Sequence, residues 1–290
     1  MPIRFLFCLL GLAGLLTGCG DPATGPRLDL VGSSRFISAD RALTSPADTL
    51  TAKVYAEARD DNQQLRRLRI TVGYNDETPL VYLDSALNRR DALFLLSFGS
   101  RTTSGRETWR FEAEDTDGQK ASRSFRVRLR NPDSTLVYHR YTVRLQAPGT
   151  PYARPYLDLA RGLAFPSYTV RTNAEAQQAV DLIYLPLAAG GPVLAAPADP
   201  QSGLNWPGRR RTLLRVTSLS QSAFTNTDTS EELEAAYTSN LSSPVTRTPA
   251  LTKGAVLAFI TADSRYGLLY VADVLASPVP ALVLNVRIQR

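Results

Sequence analysis

An all-β fold of two packed sandwiches is predicted by three features of the 290-residue sequence. Short segments of alternating apolar and polar residues recur along most of the chain, separated by turn signals, which is the pattern of half-buried strands. Only two short stretches carry helical spacing, and neither is long. The hydrophobic content of 43% with 8% aromatic residues is enough to fill packed cores, so disorder is not expected.

The first element is a leader. A single basic residue, Arg4, precedes the apolar run Phe5 to Leu16, and small residues follow, the layout of a secretory signal. About 13 apolar residues make only about 20 Å of helix, short of the ~20 residues needed to cross a bilayer. The end of this run, Leu16-Thr17-Gly18-Cys19, resembles the lipobox of bacterial lipoproteins. The resemblance implies that residues 1–18 are removed, that the Cys19 thiol carries a diacylglycerol, and that Cys19 becomes the N-terminus. Two or more acyl chains, at about 0.8 kcal/mol per buried methylene, anchor a protein firmly. The implied location is the bacterial cell envelope, lipid-anchored, with the membrane as a partner. Gly20 rather than Asp after the cysteine points to the outer membrane, on either its periplasmic or its surface-exposed face. Cys8 is lost with the leader, so the mature chain has no pair of cysteines and its stability must come from its cores.

Residues 19–27 contain GDPATGP and read as a flexible tether. Residues 28–131 follow as the first sandwich. Its strands are read at 49–58, 65–74, 80–87, 93–98, 107–114 and 124–130, with Asp-Gly in DTDGQK marking a hairpin between the last two. The run WRFEAEDTDGQKASRSFRVRL resembles the closing hairpin of immunoglobulin-like and PKD-like modules, which implies an Ig-like sandwich over about a third of the chain. The alternation turns Leu68, Ile70, Val72, Trp109, Phe111, Phe125 and Val127 inward. It leaves Arg67, Arg69, Arg110, Glu112, Glu114, Arg126 and Arg128 outward, as a solvated charge ladder in which arginines flank the glutamates on both sides.

Asn131-Pro132-Asp133 marks the boundary, and residues 132–290 form the second domain. Strands are read at 136–145, 180–187, 255–262, 266–275 and 280–288. Two short helices interrupt them, 172–179 and 229–237, each opened by a capping box, Thr172 with Glu175 and Thr229 with Glu232. The expected architecture is a jelly-roll-like sandwich with one or two short helices. YLDLARGLAF, VDLIY and KGAVLAFITADSRYGLLYV resemble, faintly, domains of uncharacterised envelope lipoproteins, a likeness that bears on location rather than activity.

Composition excludes some chemistry. The formal charge of +6 is spread along the chain rather than concentrated as nucleic-acid binding requires, so no nucleic acid is expected. There is no phosphate-binding glycine loop, and one histidine with one mature cysteine cannot make a His/Cys zinc site, so no cofactor or metal is expected. His139 reads as a structural residue on an alternating strand. Asp115 and Asp117 begin like a calcium loop but lack its twelfth-position glutamate, and read as a hairpin turn instead. Asp158 and Asp181 sit beside apolar strands, where a raised pKa would suit a carboxylate pair. Turn capping explains them as well. The best ligand candidate is GLNWPGRRR (203–211), where Trp206 beside Arg209 and Arg210 has the chemistry to stack on a sugar and bind its hydroxyls or acid group.

Two functions fit. The first is a non-enzymatic envelope lipoprotein presenting its C-terminal domain on an Ig-like spacer, with a glycan or another envelope protein as partner. Glycan-binding accessory lipoproteins of nutrient-uptake systems are similar in plan. The second is a secreted hydrolase of glycoside-hydrolase type with an accessory Ig-like domain.

Overall fold

A computed structural model describes residues 25–44, 50–75, 77–98, 104–130, 137–149, 153–187 and 191–290. The leader, Cys19 and the Asn131-Pro132 break lie outside the described residues. The molecule is mostly β, with four short helices among these residues. No described helix is long and apolar enough to cross a membrane.

The first half contributes β1 (Arg27–Leu30), β2 (Arg41–Leu43), β3 (Leu50–Glu57), β4 (Leu65–Tyr74), β5 (Leu80–Arg89), β6 (Asp91–Phe98), β7 (Gly105–Asp115) and β8 (Lys120–Leu129). They form a sheet of order β1-β3-β6 and another of order β2-β8-β7-β4-β5. Every pairing is antiparallel except that of β2 with β8. Strand period sets the core directly: Leu50, Ala52, Val54 and Ala56 of β3 alternate inward, as do Trp109, Phe111 and Ala113 of β7. Trp109 is fully buried, with Tyr82 edge-on at 5.1 Å. Pro26 is already buried and β1 begins at Arg27, inside the stretch read as a tether.

The hairpin at DTDG forms as expected. Asp115 Oδ1 accepts from the backbone N–H groups of Asp117 and Gln119, and Gly118 takes the left-handed conformation (φ +78°) that the turn needs. This turn corrects the expected charge ladder. β8 starts at Lys120, earlier than read, so the register sets Glu114 opposite Lys120 and Glu112 opposite Ser122. Arg126 and Arg128 face Thr108 and Arg106 instead. On the other side the expectation holds, with Arg67 opposite Glu114 and Arg69 opposite Glu112.

The second half contributes β9 (Tyr138–Gln146), β10 (Tyr156–Asp158), β11 (Leu163–Phe165), α1 (Ser167–Thr172), α2 (Ala174–Ala179), β12 (Leu182–Leu187), β13 (Gly191–Ala195), β14 (Leu213–Val216), α3 (Gln221–Asn226), α4 (Ser230–Thr238), β15 (Val256–Ile260), β16 (Tyr266–Leu275) and β17 (Ala281–Gln289). One sheet runs β11-β10-β12-β13 and the other β14-β15-β16-β17-β9. Leu157, Leu182, Tyr184 and Leu194 of the first pack on Leu257, Leu269, Leu284 and Val286 of the second. The other face of the five-stranded sheet is covered by α3 and α4, through Phe224, Leu233 and Tyr237 on Leu268 and Tyr270. Close packing inside this sheet needs Gly267, because a side chain there would overlap the Phe259 ring and the Arg287 backbone.

The capping box at Thr229 is present in full: its side chain accepts from Glu232 N–H while the Glu232 carboxylate accepts from Thr229 N–H. The box expected at Thr172 is not the cap that forms. Asn173 caps α2 instead, accepting from the N–H groups of Glu175 and Ala176, and Thr172 is the last residue of a separate helix, α1. Asn173, with extended backbone (φ −122°, ψ 107°), separates α1 from α2, so the helix expected at 172–179 forms as α2 from Ala174, and α1 before it is an additional helix.

The two halves meet over β5. Leu80, Val81, Tyr82 and Leu83 are all buried, because α1 and α2 pack against this strand in addition to its own sandwich. Tyr82 Oη donates to the carbonyl of Ala164 at 2.9 Å, and the Thr169 hydroxyl donates to the carbonyl of Tyr82. Phe165, Val170, Ala176 and Ile183 belong to the same apolar cluster as Trp109 and Phe111.

Candidate functional site

Of the residues singled out from sequence, Asp158, Asp181 and the 203–211 loop converge on one corner. Asp158 ends β10, Asp181 precedes β12, and the 203–211 loop crosses beside them, with Gly208 facing Gln178 of α2. The approach to this loop is shaped by Asp199, whose Oδ1 accepts from Gln201 N–H and whose Oδ2 accepts from the Thr246 hydroxyl at 2.6 Å.

Asp158 and Asp181 are almost fully buried, at 2% and 1% exposure. Asp158 closes the turn that follows it, accepting from both the backbone N–H and the guanidinium of Arg161 at 2.9 Å. Asp181 spans two segments: Oδ2 accepts from Leu159 N–H at 2.9 Å, and Oδ1 accepts from Arg210 Nε at 2.7 Å. Arg210 also pairs with Asp263, in the turn between β15 and β16. Above them Tyr141 donates to the carbonyl of Leu159 at 2.6 Å, and its ring lies 3.3 Å from where a side chain on Gly162 (φ +66°) would begin.

Burial dominates the electrostatics. It pushes the Asp181 carboxyl up to about 6, reinforced by the negative charge of Asp158 and opposed by Arg210 and the Leu159 N–H. The Tyr141 hydroxyl is pushed well above its ordinary value by burial and then by both carboxylates. Asp263 moves the other way, held down mainly by its bond to Arg210. A raised carboxyl beside a second acid has the form of a general-acid pair. Here, however, both oxygens of each acid already accept from protein donors, and these bonds tie β10, β12, the 203–211 loop and the β15–β16 turn together. The arrangement is a clasp.

The ligand candidates divide accordingly. Arg210 is engaged by Asp181 and Asp263, its side chain 20% exposed. Trp206 is half-buried against the large apolar cluster, tilted on Tyr156 at 5.5 Å between ring centres. Arg209 is exposed and donates to the Leu204 carbonyl at 3.2 Å. His139 is half-buried on β9 opposite Ile288. Sequence reasoning missed Asp263, Arg161 and Tyr156 as members of this corner. The three-residue spacing of Asp158 and Arg161 was the one local signal for any of them.

No protein-family model matches the sequence, and no curated protein matches it. Among solved structures, a DUF4466 family protein from Parabacteroides merdae aligns at 12% identity and a TM-score of 0.42, covering 93% of this chain and 100% of that one. A superoxide reductase from Ignicoccus hospitalis aligns at 10% identity and TM-score 0.25, over 37% of this chain and 82% of its own. The sporulation control protein Spo0M from Bacillus subtilis aligns at 12% identity and TM-score 0.26, over 59% of this chain and 78% of its own. At these TM-scores none of the three carries an argument about this chain.

Proposed function

We propose that the protein is a lipid-anchored envelope protein that acts by binding rather than by catalysis, with an Ig-like first sandwich as spacer and the second sandwich as the binding body. The observation that carries the anchoring is the lipobox Leu16-Thr17-Gly18-Cys19 at the end of a short apolar run. Cys19 holds the lipid, and the outer membrane is its destination. The binding half of the reading is supported by the clasp: the two acids best suited to hydrolysis, Asp158 and Asp181, are occupied by structural hydrogen bonds.

Cys19→Ser tests the anchor. It should leave an unprocessed precursor that incorporates no labelled fatty acid, and labelling that survives the substitution overturns the reading. Protease shaving of intact cells then separates a surface-exposed from a periplasmic face.

A glycan ledge at Trp206 and Arg209 is the specific form supported by the half-exposed indole tilted on Tyr156 beside an exposed guanidinium. Trp206→Ala should abolish binding to a polysaccharide array if the ledge is used.

A further inference from the structure

The first sandwich is open along one side, where β5 ends one of its sheets and β6 ends the other. Between these two edges lies a cavity of about 230 Å³. Ile70 and Leu83 line one wall, Phe94 and Leu96 of β6 line another, and Gln146 and Arg154 of the second half close it. All four wall residues are buried. Gln146 and Arg154 are the only polar side chains in the lining. A mostly apolar hollow with a few convergent polar groups is the usual form of a small-ligand site, and this one is smaller than the ~300 Å³ at which drug-sized sites begin.

Gln146 and Arg154 are half-buried neighbours, joined by the bond from the Gln146 N–H to the Arg154 carbonyl at 3.1 Å. Their side chains make no hydrogen bond and no ion pair among the described residues. Arg161, Arg210 and Arg287 of the same half each pair with an aspartate. Arg154 has no such partner, and no carboxylate lines the cavity. Burial pushes the Tyr82 hydroxyl up and the charge of Arg154 opposes it, so the guanidinium lies near that buried ring. A cation drawn partly out of water without a counter-charge costs stability. One guanidinium balances one negative charge, and its planar fork matches a carboxylate, with the Gln146 amide as a further donor. The rest of the lining has no polar side chain for amides or hydroxyls, which calls for a hydrocarbon body behind that head.

We propose that this cavity binds a short aliphatic carboxylate, its head on Arg154 and Gln146 and its chain among Ile70, Leu83, Phe94 and Leu96. The site shares with the reading above only that the protein binds a ligand, and it needs neither the lipid anchor nor Trp206. An unbalanced cation beside an apolar hollow breaks a rule of stability where a ligand restores it, and functional sites are expected at such places.

The test is calorimetric titration of the full chain in detergent with octanoate, each heat corrected for the same titration into detergent alone. Octanol, acetate and N-acetyl-glycyl-leucine serve as comparison probes for the chain, the head and a peptide C-terminus. Octanoate should bind saturably, and each comparison probe should bind at least about tenfold more weakly. Arg154→Gln should weaken octanoate by about tenfold or more without lowering the melting temperature, because no partner in the fold is lost. Gln146→Leu should weaken it less, and Trp206→Ala should leave it unchanged. Equal binding of octanol or acetate overturns the proposal, as does an Arg154→Gln variant that binds as well as the parent. Tighter binding of N-acetyl-glycyl-leucine overturns it in favour of a peptide, and no saturation below about 10 mM octanoate overturns it outright. None of these results alters Cys19 labelling or the polysaccharide array, so failure here is distinguishable from failure of the anchor or of the Trp206 ledge.

Discussion

The outer face of β4, β7 and β8 and the corner beneath the 203–211 loop contain the same chemistry, arginines and lysine against carboxylates, in two different media. In the first, Lys120 reaches Glu112 at 3.1 Å and Glu114 at 3.6 Å with its side chain 54% exposed. In the second, Arg210 reaches Asp181 at 2.7 Å where the carboxylate is 2% exposed. Water solvates the surface charges whether or not they pair, so pairing adds little there. At the buried corner each charge depends on its partner, because the alternative is an ion with neither water nor counter-charge. The same residue types therefore decorate one half of the molecule and fasten the other.

The largest effect expected from this contrast is at Arg210. Arg210→Met leaves Asp181 buried beside Asp158 without its cation, and chemical denaturation should show a loss of about 3–5 kcal/mol.

The next is a dependence on pH. The folded Asp181 carboxyl, at about 6, lies above its unfolded value of 3.8, so between these values the folded state holds more protons. Stability should then fall as pH rises from about 4 to above 6, by something of the order of 1–3 kcal/mol. Asp181→Asn should flatten that slope. Asp228 and Asp263, both lowered by bonds to arginines, contribute with opposite sign. Their stabilisation is present above the ordinary carboxylate value and is lost as pH falls through their own lower values, so the two windows separate.

Trp206→Ala removes a half-buried ring packed on Tyr156 and should cost about 1–3 kcal/mol, less than the 3–5 of a fully buried aromatic. The smallest effect belongs to the outer-face ladder, whose Glu112 is only part-buried. Glu112→Gln should change stability by less than about 1 kcal/mol, and raising the salt should erase the difference.

Much of the first sandwich was legible because one face of each strand meets a core and the other meets water. Trp109 inward and Arg110 outward follow from period two alone. The Thr229 box was legible because capping is local. What escaped is what depends on distant chain. The start of β5, Leu80 to Leu83, is buried on both faces by helices that arrive far later in the chain, as the bond from Thr169 of α1, 87 residues on, to the Tyr82 carbonyl shows, so its alternation gives no hint of them. The Asp181–Arg210 pair joins residues 29 apart across two sheets. Asp158 and Asp181 were visible as acids beside apolar strands, but their role turns on which donors reach them, and no spacing records that. The ladder register failed for a smaller reason: the turn at Asp115 lets β8 begin four residues early, and one shift reassigns every partner.

A double-mutant cycle on Arg210→Met and Asp181→Asn tests most directly whether this corner is a clasp. Once Asp181 is neutral, losing Arg210 should cost far less than it does in the parent, giving a coupling of about 2 kcal/mol or more in denaturation experiments. Effects that add to within about 0.5 kcal/mol would contradict it, because the buried carboxylate would then be held by something other than Arg210.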